Sequence, residues 1–265
     1  MSSLAIQSAS RKFSRALDHR KLIERCVAEY TRRKPYKVVR DANGEKTLRI
    51  IRQPPSDVSL FAGEMLYQLR SALDHLFFEL VERNYGKPVP KEIARECQFP
   101  LLDTRPTGHS SPVPKHVLFS KQKLFQWIPD KAYTFVESLQ PYNTGYPATQ
   151  LLGMLGKLSN IDKHRRLNAT VTIVDSRHIF THPAFSSVFI RPSLQDGAKL
   201  PRPVPPTVPH IKDKRAMKMK IEYRPVIAFD EPEAGKPETA LLEDVTHGLP
   251  ALVFQITLVF KQFLK

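Results

Sequence analysis

Two short segments place ionisable residues inside apolar helical runs. Leu69-Arg70-Ser71-Ala72-Leu73-Asp74-His75-Leu76 carries an arginine, an aspartate and a histidine, and Asn160-Ile161-Asp162-Lys163-His164-Arg165-Arg166 closes a later apolar run. Charge near a core is expensive unless it is paired or used. The chemistry open to these residues is proton transfer at a histidine that titrates near neutrality, beside guanidinium groups that match a phosphate. The same residues can instead build a lock between helices. Arg70–Asp74 is then an ordinary i,i+4 pair, and Lys163 to Arg166 favour the negative end of a helix dipole.

Helical rotation sorts the residues onto faces. At roughly 100° per residue, Arg70 lies on the shoulder of the Leu66/Leu73/Phe77 stripe, Asp74 follows one turn on, and His75 falls about 140° from Arg70. One straight helix therefore does not bring Arg70 and His75 together. On the later helix Leu151, Leu155 and Leu158 define a buried stripe whose extension reaches Asp162 and Arg165. The expectation is that Asp162 or Arg165 pairs with Arg70 or Asp74, with Asp162–Arg70 the simplest outcome. Gln140-Pro141-Tyr142 reads as a helix stop and turn. His178 and His182 sit four apart without a third ligand, and no P-loop, Rossmann glycine motif, GxSxG or HExxH occurs. No metal and no cofactor is expected.

The elements that position these residues follow from periodicity. A basic helix is expected over 4–33, a β-hairpin over 36–52 around Asp41-Ala42-Asn43-Gly44, and a secure helix over 57–84 with Leu66, Leu69, Leu73, Leu76, Phe77 and Leu80 on one stripe. Residues 86–119 read as a proline-rich loop, followed by helices over 120–127, 130–139 and 147–164. Strands are expected at 169–174, 187–190 and 217–229, with a loop over 191–215, before a last helix over 238–264. The fold class is α+β: a mainly helical bundle over 1–166 that includes the hairpin, a β-rich insertion over 167–237, and a C-terminal helix over 238–265 packing back on the bundle.

Composition narrows the partners. With 41 Lys+Arg against 26 Asp+Glu the net charge is +15, which favours polyanionic partners, nucleic acid above all and an anionic membrane surface as the weaker alternative; RNA is expected before DNA as the partner. Arg11, Lys12, Arg15, Arg20, Lys21 and Arg25, continued by Arg32, Arg33 and Lys34, form the densest positive tract, and Lys212, Lys214, Arg215, Lys218 and Lys220 form a second. Each tract is open to the plainer reading of a solvated face. Cys26 and Cys97 belong to no zinc or disulfide pattern. No signal peptide or membrane span is visible, so a cytoplasmic protein without a membrane partner is expected.

Arg70-Ser71-Ala72-Leu73-Asp74-His75 has the form R-x4-H on a helix, and it resembles the R-x4-6-H motif of the HEPN superfamily. Many members of that superfamily look like metal-independent ribonucleases of toxin–antitoxin and phage-defence systems. The resemblance implies a HEPN-like bundle, a homodimer that joins two motifs in one cleft, His75 as general acid/base and Arg70 on the scissile phosphate. Asp74, Asp162, His164 and Arg165 would then support the site. Family members often carry Asn, Asp or His directly after the arginine, where this chain has Ser71. The trio RSALDH, LQPY and NIDKHR also resembles a set of bacterial proteins to which no activity is attached. The alternative to an endoribonuclease is a non-enzymatic basic protein that binds nucleic acid or a partner, with a structural Arg/Asp/His cluster.

Overall fold

A computed structural model of the chain describes residues 4–40, 42–86, 88–110, 112–118, 125–144, 147, 150–164, 167–180, 188–189, 218–230 and 240–264. The fold is α+β and divides into two compact units, one of residues 1–26, 57–167 and 243–265, the other of residues 27–56 and 168–242.

The first unit is helical. It holds most of α1 (Leu4–Arg32), then α2 (Ser56–Tyr85), α5 (Asp130–Ser138), α6 (Leu151–His164) and α7 (Leu249–Phe263), with the short helices α3 (Lys91–Glu96) and α4 (Lys115–Leu118) between. The expected α2 stripe from Leu66 to Leu80 is entirely withdrawn from solvent, as are Ala16 and Ile23 of α1 and Val253 and Phe260 of α7. An extended segment, residues 97–102, lies in this core. Its Phe99 ring meets Phe77 of α2 edge-on at 6.1 Å and Phe260 of α7 at 6.0 Å.

Three sequence expectations shift here. The stretch expected as loop over 86–119 contains α3 and α4, which follow Pro90 and Pro114; proline ends one element but also begins a helix without wasting a hydrogen bond. Of the helix expected over 120–127, the described part is a 3-10 turn, Phe125–Trp127. The last helix begins later than 238: Ala240–Leu241 form a strand, β6, and a π-helical turn spans Asp244–Gly248 before α7. Pro250 has no N–H to give the preceding turn, which accounts for the irregular entry.

The second unit carries the β structure. β1 (Tyr36–Arg40) and β2 (Lys46–Ile50) form the expected antiparallel hairpin, from Tyr36↔Ile50 to Arg40↔Lys46. Gly44 in its turn has φ +77°, a conformation glycine reaches without strain. β3 (Asn168–Phe180) and β5 (Lys218–Asp230) pair along their whole length, flanked by β4 (Val188–Phe189) and β6 in the order β4-β3-β5-β6. The hairpin, expected within the helical bundle, groups with this sheet unit instead. This grouping depends on contacts between segments distant in sequence, which local periodicity does not encode. The loop expected over 191–215, with Lys212, Lys214 and Arg215, lies outside the described residues, as do Arg165 and His182.

Candidate functional site: a closed clamp and an open cleft on one helix

Arg70 and Asp74 both reach one residue across the core. The Arg70 Nη2 donates to the carbonyl of Phe99 at 2.6 Å, and the Phe99 N–H donates to Asp74 Oδ1 at 2.9 Å. The two side chains also contact each other, Nε to Oδ1 at 3.4 Å. A free backbone donor and a free backbone acceptor in the core would each cost on the order of 1–3 kcal/mol, and this pair satisfies both. Burial pushes the Asp74 carboxyl above its ordinary range, while Arg70, the Phe99 N–H, Lys163 and His75 pull the other way. Cys97, two residues before Phe99, has its thiol pushed up to about 12 by burial and by the Asp74 charge.

The LQPY segment grips the same extended stretch from the other side. Gln140 is buried; its Nε2 donates to the carbonyls of Pro100 at 3.2 Å and Val136 at 2.9 Å, and its Oε1 accepts from the Leu102 N–H at 3.1 Å. Tyr142 completes the hold, its N–H donating to the Leu102 carbonyl at 3.3 Å. Expected only as a helix stop and turn, this segment is also an anchor for residues 100–102.

His75 leaves α2 on a different side. Its Nδ1 lies 2.8 Å from Ser8 Oγ of α1 and its Nε2 lies 3.5 Å from Ser71 Oγ, so both ring nitrogens face hydroxyls. Burial lowers its pKa below the ordinary 6.5, and Lys12 lowers it further, against the raising effect of Asp74. Arg70 and His75 are thus spent on different neighbours, in keeping with their angular separation.

Asp162 does not pair with Arg70 or Asp74 as expected. It faces α2 two and three turns earlier, where a Cβ on Gly63 would run into its carboxylate. Only a glycine allows that approach, which brings the Cα hydrogens of Gly63 against carboxylate oxygens. Lys163, not Asp162, is the α6 charge felt by Asp74. The physical reason is that the Phe99 backbone already occupies Arg70, a demand invisible in helical periodicity. His164 is exposed at the end of α6.

Beside Gly63 opens a cleft of about 420 Å³ between α1, α2 and α6. Its polar lining is Arg15 and His19 from α1, Glu64, Tyr67 and Gln68 from α2, and Asp162 from α6. His19 Nδ1 stands 3.0 Å from Glu64 Oε2 but off the line of a hydrogen bond, an ion-pair contact when the ring is protonated. Burial raises the Asp162 carboxyl, and the neighbouring Glu64 charge raises it again. The buried Oε1 of Gln68 has no hydrogen-bond partner among the described residues. The cleft thus sets two carboxylates, Glu64 and Asp162, beside two basic side chains, Arg15 and His19. Sequence reasoning missed His19, Glu64, Tyr67 and Gln68. The available signal was Gly63, a glycine inside a strongly apolar helix, which marks close approach by another chain segment.

Of the first basic tract, Arg11, Arg15 and Arg25 are exposed on α1. Arg20 pairs with Glu24 at 3.3 Å and Lys21 with Asp18 at 3.4 Å. Lys12 lies over the Tyr67 ring, 5.3 Å from its centroid. In the second unit Arg33 pairs with Glu29, and Arg32 and Lys34 are exposed. Lys218 and Lys220 lie on β5. Among the described residues no group of three or more His, Cys, Asp or Glu could hold a metal, and no helix is long and apolar enough to cross a membrane. Comparison with protein-family models, with curated proteins and with solved structures finds no match.

Proposed function

We propose that the protein is a non-enzymatic, basic RNA-binding protein whose Arg70/Asp74/His75 cluster is structural and whose binding face is the exposed side of α1. The observation that carries this reading is the commitment of Arg70 and Asp74 to the Phe99 backbone, which leaves the uncompensated positive charge elsewhere. Arg11, Arg15 and Arg25 have no ion-pair partner among the described residues. By helical rotation they fall within about 80° of one another along roughly 21 Å of axis. Such a row can follow a phosphate backbone, and a net charge of +15 adds long-range attraction.

The nuclease reading implied by the HEPN resemblance asks His75 to meet a scissile phosphate beside Arg70. The hydroxyl partners of His75 and the backbone partner of Arg70 favour the binding reading over it. One experiment separates them. The native chain, Arg70→Ala, His75→Ala and a triple Arg11→Glu/Arg15→Glu/Arg25→Glu variant are incubated with labelled single-stranded RNA in EDTA, over a salt series. The expected result is binding whose affinity falls steeply with salt, a loss of at least tenfold in the triple variant, and intact RNA throughout. RNA cleavage that disappears in His75→Ala would establish the nuclease instead. Salt-independent or absent RNA binding would remove the proposal.

A further inference from the structure

We infer that the β1–β2 hairpin of the second unit is a ribbon that enters the major groove of duplex DNA. The inference goes beyond the RNA-binding face of α1 and stands without it.

The hairpin is held at its base and open along its length. The hydroxyl of Tyr30, a buried residue, donates to the Arg52 carbonyl at 2.6 Å. The Pro35 carbonyl accepts from the N–H groups of Ile51 at 2.7 Å and Arg52 at 3.1 Å. Beyond that anchor, neither strand pairs with a third strand among the described residues. Side chains alternate between the two faces of a ribbon. Val38 and Arg40 leave on one face and Lys37, Val39 and Arg49 on the other, and all five are exposed. Val38 keeps 51 % of its surface in water and Val39 38 %. A two-stranded hairpin open on both faces is marginal by itself, so packing within the fold does not account for its apolar residues.

Charge selects what covers it. Lys37 stands directly opposite Arg49 in the ladder. Like charges so placed, with Cβ atoms roughly 5 Å apart, repel each other and weaken a hairpin. Lys37, Arg40 and Arg49 have no ion-pair partner among the described residues. The occupant must therefore bring negative charge to both faces at once. A lipid surface or a flat protein partner serves one face and leaves the other in water. A duplex groove has a phosphate row on each side, and the major groove of B-form DNA, about 12 Å wide, admits a two-stranded ribbon. The A-form groove of duplex RNA is too deep and narrow for the same entry. Lys37 and Arg49 then meet one phosphate row and Arg40 the other, while Val38 and Val39 lie against sugars and thymine methyl groups.

The test measures binding of the full chain to a labelled DNA duplex, an RNA duplex and a single-stranded RNA over a salt series. The DNA duplex should bind at least tenfold tighter than the RNA duplex. Lys37→Gln/Arg40→Gln/Arg49→Gln should lose at least tenfold in DNA affinity and flatten the log–log salt slope by about 2–3, the value for three phosphate contacts. The same variant should keep single-stranded RNA binding within threefold and melt no lower than the native chain, since a repulsive pair is gone. A control that removes three cations outside the hairpin, Arg11→Gln/Arg15→Gln/Arg25→Gln, should cost DNA binding less than threefold, which separates groove entry from net charge. Equal losses from the two triple variants, equal affinity for the two duplexes, or no DNA binding overturns the inference. Single-stranded RNA binding that still depends on α1 would leave the proposed function standing in each of those cases. Hairpin-dependent DNA binding without any RNA binding would remove that function and keep the inference.

Discussion

Two neighbouring stretches of α2 treat charge in different ways. Toward its C-terminal half, Arg70 and Asp74 find a complete set of partners in the Phe99 backbone, and His75 meets hydroxyls on both nitrogens. Six residues before Arg70, Glu64 shares an open cleft with Asp162, and burial together with the Glu64 charge raises the Asp162 carboxyl there. Both regions look alike in the sequence, as polar residues set in an apolar helix. What separates structure from function is whether the fold supplies the missing hydrogen-bond partner. A satisfied cluster holds the chain together, and an unsatisfied one has a place for something else.

The contrast can be broken at the clamp first. Arg70→Ala should destabilise the first unit by roughly 2–4 kcal/mol, since it strands a buried carbonyl and leaves Asp74 without its cation. Chemical denaturation read by the near-UV signal checks this, and a loss under 0.5 kcal/mol would show that the clamp is idle. A smaller effect is expected at His75. Its folded pKa lies below the ordinary 6.5, so the unfolded chain takes up a proton first as pH falls. Stability is therefore fully present above that value and declines below it, toward the folded pKa. Replacing His75 by Asn should flatten this part of the stability–pH profile; an unchanged profile would mean that Ser8, Lys12 and Asp74 do not set its protonation. The smallest effect, with opposite sign, belongs to the cleft. Asp162 has a raised pKa because burial and Glu64 disfavour its charge, so Asp162→Asn should stabilise the fold at neutral pH. Solvent screening at this part-exposed group limits the gain to about 0.5 kcal/mol. A destabilised Asp162→Asn would place Asp162 among the structural residues and erase the contrast.

Much of the scaffold was legible because it obeys periods. The Leu66-to-Leu80 stripe, the Asn43-Gly44 hairpin and the alternating strand after Met217 follow from spacing alone. The angular separation of Arg70 from His75 was legible for the same reason. Two things were not. The capture of Arg70 and Asp74 by Phe99 joins residues far apart in sequence through a backbone segment that has no side-chain signature. The cleft escaped notice because Glu64 and His19 resemble ordinary surface residues until Gly63 lets Asp162 approach them. Periodicity ranks faces by apolarity, whereas a polar site depends on which backbone groups another segment leaves unserved.

The burial of Cys97 has a practical corollary for anyone who wishes to watch the cleft. Its thiol, raised to about 12, carries almost no thiolate at neutral pH, so alkylating dyes pass it by. Cys26 is part-exposed on α1 and stands seven residues beyond His19, about 10 Å along the helix axis. A maleimide fluorophore should therefore report from this one position on the native chain, near Arg15 and His19, without any engineered cysteine.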